Sequence, residues 1–229
     1  MKVSAKLSSE DRRAAIVKAV RRVFAEKGLD GTTTRALADA AGVSEALLFK
    51  HFPTKEALFT AMQSACCSDQ DLGIFERLKA LEPSASTLVL MVHFLVSRVI
   101  GSCKDPNSDQ AILNRLVLRS LAGDGEFAHV LLGRVAREWV PKVEECIAVA
   151  AAEGDIAEGR VQPRLSGWLT HHLAAMVMLH LLPRPAVVDY EMSEQQIIEQ
   201  AVWFALRGMG MKDRAIARHY NPKALALFQ

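Results

Sequence analysis

The sequence predicts an all-α chain, with a small N-terminal three-helix module ahead of a larger helical body. Three observations carry that expectation. Alternating runs rich in Val, Ile and Thr and bounded by Asn-Gly turns, the mark of strands and hairpins, are absent. Apolar residues recur at helical spacing instead. Pro and Gly punctuate the chain at intervals that leave helix-length segments between them.

Each element has its own signal. In the first segment, Ile16, Val20, Val23 and Phe24 fall at i, i+4, i+7 and i+8, one apolar stripe, with Lys18, Arg21 and Arg22 off it toward water. Ser9 reads as the N-cap, Glu10 and Asp11 put negative charge in the first turn, and Gly28 ends the helix after Lys27. Thr33 or Thr32 caps a short second helix through Ala41, which Gly42 ends by taking the left-handed conformation. Ser44 caps a third, and Pro53 closes it by disfavouring helical geometry at Phe52. Thr54 caps a fourth, carrying Lys55, Glu56, Leu58 and Phe59. Longer helical patterns follow over 84–102, 108–121, 125–153, 162–182 and 193–209, with short breaks between them. Residues 212–229 read as a last short helix or a frayed tail.

With 229 residues, half of them hydrophobic and 6% aromatic, the chain has room for a substantial core built on aliphatic side chains. The net charge of +2 says little about a partner, but its distribution says more. Residues 1–62 hold 11 Lys and Arg against 7 Asp and Glu, while the other 167 residues carry 17 against 19. A basic module, 1–62, therefore precedes a slightly acidic body, 63–229. Cys66, Cys67, Cys103 and Cys146 show no CxxC and no Cys/His metal spacing, and no secretory signal precedes the module. A reduced, cytoplasmic chain with buried thiols is the expectation; a redox role for the adjacent Cys66 and Cys67 is the rarer reading. The longest apolar stretch, 165–182, is interrupted by His171, His172 and His180, which suits a buried helix and no membrane partner. Nothing in the residues calls for a cofactor or a metal.

Two short helices joined by Gly42-Val43-Ser44 form a helix-turn-helix. Ala38 allows close approach, and Leu37, Leu48 and Phe52 close a small core against Val20 and Phe24. The second helix of such a pair protrudes as a rod that fits the major groove of DNA. Helix N-termini at Thr33, Ser44 and Thr54 offer backbone N–H groups to phosphates, and Lys50, His51 and Lys55 add positive charge beside them.

The segments FAEKGLDGTTTRALADAAGVS and LLFKHFPTKEAL make residues 14–61 resemble the DNA-binding domain of the TetR family of transcriptional regulators. By that resemblance, Thr33, Thr34 and Arg35 touch phosphates or bases, Ser44, Glu45, Ala46 and Lys50 face the groove, and His51 and Lys55 meet the backbone. Arg35 has the fork to read a guanine, Glu45 can accept from a cytosine amino group, and Ala46 can touch a thymine methyl. Two positions depart from the family's pattern. Leu47 and Phe49 stand where many members carry Thr and Tyr, and neither can hydrogen-bond a phosphate.

The resemblance also implies that the body binds a small-molecule effector and forms a homodimer through its last two long helices. Leu169, Leu173, Met176, Val202, Trp203 and Leu206 are the expected dimer residues. Met91, His93, Phe94, Leu116, Trp139, Trp168, Met176 and His180 are candidates to line an apolar pocket. The expected function is a repressor that binds a palindromic operator as a dimer and is released by a small apolar effector. The competing reading is a helical dimerising sensor that has lost DNA binding, as Leu47 and Phe49 suggest. An enzyme is disfavoured. His172 and His180 lie about 12 Å apart along a helix, too far to share a metal, and no HExxH, GxSxG, GxGxxG or Walker loop is present.

Overall fold

The computed structural model describes residues 8–66, 72–105, 107–157, 159, 161–221 and 225. The described residues form α1 (Ser9–Lys27), α2 (Thr34–Ala41), α3 (Glu45–His51), α4 (Lys55–Cys66), α5 (Leu72–Lys79) and α6 (Ala85–Gly101). They continue as α7 (Asp109–Leu121), α8 (Glu126–Ala152), α9 (Pro163–Leu181), α10 (Glu194–Gly208) and α11 (Asp213–His219). No strand is found among them; a lone antiparallel bridge joins Ile156 to Met211. The all-α expectation holds, and the five long patterns agree with the helix ends to within a residue or two. α5 was not anticipated: it has eight residues, too few for its periodicity to stand out. Cys67, the side chain of Cys66 and most of the tail beyond Asn221 lie outside the described residues. Cys103 and Cys146 are buried free thiols, and burial pushes the Cys146 thiol up from its ordinary pKa.

The chain divides into two compact units. The smaller takes in the first four helices and Ile112–Leu131, that is, most of α7 and the start of α8; the larger takes in the remainder. This differs from the expected boundary at 62/63. Ile112, Leu116 and Phe127 are buried in the same apolar cluster as Val20, Phe24, Leu37, Leu48 and Phe52, so the module draws part of its core from a later segment. Local periodicity reports that a residue is buried, not which core buries it.

Within the smaller unit, α1 begins one residue earlier than expected, capped by the Ser8 hydroxyl, which accepts from the Asp11 N–H at 3.0 Å. Phe24 is fully buried and meets the Phe59 ring edge-on, centroids 5.0 Å apart. Arg21 corrects the sequence reading. It is buried at 6% exposure, because Val17, Arg21 and Phe24 fall on one arc beside the Ile16–Val20 row. At the end of α1, Arg119 of α7 donates to the carbonyls of Glu26 and Lys27, satisfying acceptors that the last helical turn leaves free.

The larger unit is organised around α6, which is apolar on nearly every side and buries Leu88, Met91, Val92, Val96 and Ile100. α9, α10 and α11 pack against it. The turn after α8 is latched to the start of α11: the Ala157 N–H donates to Gly210 O and the Lys212 N–H to Asp155 O, each at 2.9 Å. The buried Asp155 carboxylate accepts from Arg218 at 2.5 Å and stands 3.1 Å from His219 Nε2. Hydrogen bonding from Arg218, then from His219, holds its pKa below the ordinary carboxylate value. A depressed folded-state pKa contributes stability above the unfolded value, about 4, and loses it as pH falls through the folded one. The stability gap between the wild type and Asp155→Asn is therefore expected to narrow from pH 6 toward pH 3 in urea melts. A gap independent of pH would contradict this.

Candidate nucleic-acid interface

The helix-turn-helix is built as its residues dictate. The Thr33 hydroxyl accepts from the Ala36 N–H at 3.2 Å, fixing the start of α2. Thr32, the other cap candidate, is buried, and its hydroxyl donates to Gly28 O at 2.5 Å. Gly42 ends α2 at φ 63°, ψ 33°, and the Val43 N–H reaches back to Ala38 O at 3.0 Å, the six-to-one bond of a Schellman turn. The Ser44 hydroxyl then accepts from the Leu47 N–H at 3.2 Å, opening α3. Nothing lies within 4 Å of a Cβ built on Gly42, so Gly42→Ala meets backbone strain alone. Its expected cost is about 1 kcal/mol of stability in the smaller unit, read from thermal melts. An unchanged melt would refute the left-handed turn.

The two sides of α3 are chemically opposite. Leu48 lies in the core at 2% exposure, while Ser44, Glu45, Ala46 and Lys50 face solvent with Thr33 and Arg35 of the preceding helix start. Thr34, His51 and Lys55 are half-buried. Three contacts at this surface were not legible in the sequence. Thr34 Oγ1 donates to Glu45 Oε2 at 2.8 Å, joining α2 to α3 and occupying one oxygen of the carboxylate. Lys55 Nζ donates to Thr32 O at 3.2 Å, which anchors its ammonium beside the N-terminus of α2 and leaves two further N–H groups. Arg13 donates to His51 O at 2.5 Å and lies over the Phe52 ring, 4.1 Å from its centroid, so α1 closes the C-terminal end of α3. Phe49, at 42% exposure, puts an aromatic ring on the outer face of α3, and Leu47 is half-buried.

Such a surface pairs protruding donors and cations with a rigid apolar support. It can hold phosphates through Lys50, Lys55 and backbone N–H groups while Arg35, Glu45 and Ala46 face base edges.

The pocket and dimer candidates fall out differently. Met91, His93, Phe94 and Trp139 are buried in the larger unit, Trp168 and His180 are half-buried, and Met176 is 55% exposed. Leu116 belongs to the smaller unit, where it is buried in the helix-turn-helix core. Val202 and Leu206, expected at a dimer face, are fully buried inside the protomer, because the inner arc of α10 lies on α6. The exposed apolar residues of these helices are Leu165, Leu169, Met176 and Leu179 on α9 and Phe204 on α10. A groove of about 360 Å³ runs beside them, lined by Leu173, Val177, Met192, Trp203, Phe204 and Arg207 among others. None of the expected pocket residues lines it.

Residues 16–62 match the family described as bacterial regulatory proteins, tetR family. The chain is similar to the HTH-type transcriptional repressor AcnR of Corynebacterium glutamicum, 42% identical over 62 residues, which is 27% of this chain and 33% of that repressor. It is also similar to the nucleoid occlusion factor SlmA of a Marinomonas species, 26% identical over 65% of this chain and 70% of that protein. Among solved structures, AibR in complex with isovaleryl coenzyme A and operator DNA shares the fold, with a TM-score of 0.62 at 20% identity over 84% of this chain and 97% of that one.

Proposed function

We propose that this chain, which belongs to the TetR family of transcriptional regulators, is a repressor that binds a palindromic operator as a homodimer and releases it when a small apolar effector enters the larger unit. The observation that carries the reading is the division of α3: a buried Leu48 on one side, and Ser44, Glu45, Ala46 and Lys50 exposed on the other beside Arg35. One recognition helix of seven residues reads too few base pairs for specificity. Two copies related by a two-fold axis would read half-sites about 34–36 Å apart, or a multiple of that.

Dimerisation is supported by the apolar row Leu165, Leu169, Met176 and Leu179 on α9, with Phe204 on α10 at 69% exposure. A row of this kind on an isolated protomer is a surface that a second copy can cover. Release follows if the effector binds one dimer geometry better than the other, since it shifts the equilibrium only by that difference. No helix among the described residues is long and apolar enough to cross a membrane, and the proposed place of action is the cytoplasm, where the operator lies.

Sedimentation velocity on the full chain tests the dimer. The wild type is expected to run as a dimer and to bind one duplex per two chains. Leu169→Glu, which puts a charge on the exposed row, is expected to give monomers of unchanged helicity with operator affinity reduced at least tenfold. A dimer unaffected by this change would remove α9 from the interface. The second reading, a sensor without DNA binding, draws on Leu47 and Phe49; duplex binding too weak to measure even at low salt would favour it.

A further inference from the structure

Among the described residues of the larger unit, two side-chain polar atoms are buried without any hydrogen-bond partner: the indole Nε1 of Trp139 on α8 and the imidazole Nδ1 of His171 on α9. Such groups are rare, and each costs about 1–3 kcal/mol of stability when left unsatisfied. They lie on facing helices. A Cβ built on Gly167 would stand 3.6 Å from Trp139 Cζ3, so the indole packs on the bare backbone of α9, and His171 is one turn farther along the same face of that helix. His180, on the same helix, shows what a histidine there ordinarily does: its Nδ1 stands 2.8 Å from the carbonyl of Met176, one turn back. His171 does not take the corresponding bond. It is held edge-on against Trp168, ring centroids 6.1 Å apart, and edge-on against His172 at 5.6 Å, while His172 itself stacks on Trp168 at 6.0 Å.

We propose that Trp139 and His171 form the polar end of the effector site, and that the effector is an uncharged, largely apolar molecule bearing a carbonyl oxygen, such as an ester, ketone or lactone. The inference rests on the reading of the larger unit as the effector-binding part. The indole N–H can only donate, so its ligand atom is an acceptor. A carbonyl oxygen has two lone pairs and can accept from the indole and from an imidazole N–H together. Burial lowers the His171 pKa to about 4, with the His172 charge adding to the effect, so the ring is neutral at physiological pH and supplies no cation. A carboxylate would then lose its hydration against two neutral groups, which disfavours it. The side chains that pack against α9 at Gly167, Val140 and Val143 with the Trp139 ring, are apolar.

The test uses the full chain with hexanoate, ethyl hexanoate, 2-octanone, γ-octalactone and octane as probes, read by thermal shift and by release of the selected operator. At least one of the uncharged carbonyl compounds is expected to raise the melting temperature and release DNA, with hexanoate and octane inactive. Trp139→Phe keeps the ring and removes the donor; His171→Leu removes the imidazole. Each is expected to weaken the active probe about tenfold, roughly the effect of one lost buried hydrogen bond. Trp139→Phe is also expected to leave the melting temperature of the free protein unchanged or raised, since it removes an unsatisfied group. The proposal falls if hexanoate or octane alone is active, if no probe acts, if both variants bind the active probe as the wild type does, or if Trp139→Phe destabilises the free protein. Release by hexanoate that ignores both substitutions would leave the repressor reading standing without this site. Failure of any duplex to bind would sink the repressor reading instead.

Discussion

Phe24→Ala is expected to lower the stability of the smaller unit by about 3–5 kcal/mol, the usual range for removing a buried phenylalanine. Phe24 is fully buried, meets Phe59 edge-on, and lies in the cluster that also holds Leu37, Leu48 and Phe52. The lost ring therefore undercuts the support of both α2 and α3. A loss of that size is a large part of what a domain of this size has in reserve. Binding to every duplex should weaken together, with no change in which sequence is preferred, because the fault is in the support and not in the reading surface. Phe24→Leu, which keeps most of the volume, is expected to cost less than about 1.5 kcal/mol. Thermal and urea melts followed by circular dichroism would check both. A melt of Phe24→Ala that overlays the wild type would mean that the cluster is not the support described.

The second large effect separates reading from holding. Arg35 and Lys50 are both exposed cations, and replacing either by alanine is expected to weaken binding, but in different ways. Arg35 carries a planar fork suited to guanine O6 and N7. Arg35→Ala is expected to cost about 1–3 kcal/mol per half-site and to relax the preference at one base position. Lys50 is proposed to act as a point charge on phosphate. Lys50→Ala is expected to weaken all sequences alike and to reduce the slope of log K against log salt by about one per protomer. Fluorescence anisotropy on the selected duplex and on single-base variants, at several salt concentrations, distinguishes the two patterns. If Arg35→Ala weakens every sequence equally and flattens the salt slope, the guanidinium lies on the backbone and the assignment of base reading to it is wrong.

Much of this was legible in the residues because it is local. The caps Thr33 and Ser44, the left-handed Gly42 and the buried Leu37, Leu48 and Phe52 all follow from rules that span four or five positions. What escaped depends on partners far along the chain. Arg13 reaches the His51 carbonyl across 38 positions, and Arg119 reaches Glu26 across 93. Neither spacing leaves a trace in periodicity. Ile112, Leu116 and Phe127 read as apolar residues of later helices and give no sign that they complete the N-terminal core. Arg21 reads as solvated because it stands off the stripe of Ile16, Val20, Val23 and Phe24, but the buried arc of α1 is wider than that stripe and takes in Val17 and Arg21. Val202 and Leu206 show the same limit from the other side. Apolar helix positions look alike whether they face the protomer's own core, as these do, or a partner, as Leu169 and Phe204 are proposed to do.

The expected Thr34 contact with DNA also needs qualification by geometry. Its hydroxyl already donates to Glu45, so a phosphate must compete with a carboxylate for that proton, while one Glu45 oxygen is fixed in place. That bond restrains the Glu45 side chain, which would lower the entropic cost of the cytosine contact proposed for it. Lys55 is similarly committed in part to Thr32 O, so any phosphate contact proposed for it would use the N–H groups that remain.

The central claim, that the surface around α3 reads duplex DNA as part of a dimer, is tested most directly by selecting random duplex DNA with the purified chain and measuring affinity for the winner across a range of salt. A palindromic winner, bound by two chains with affinity that falls steeply as salt rises, is the predicted result. Failure to enrich any sequence, with weak binding to duplex even at low salt, would contradict it and leave a dimerising helical sensor in its place.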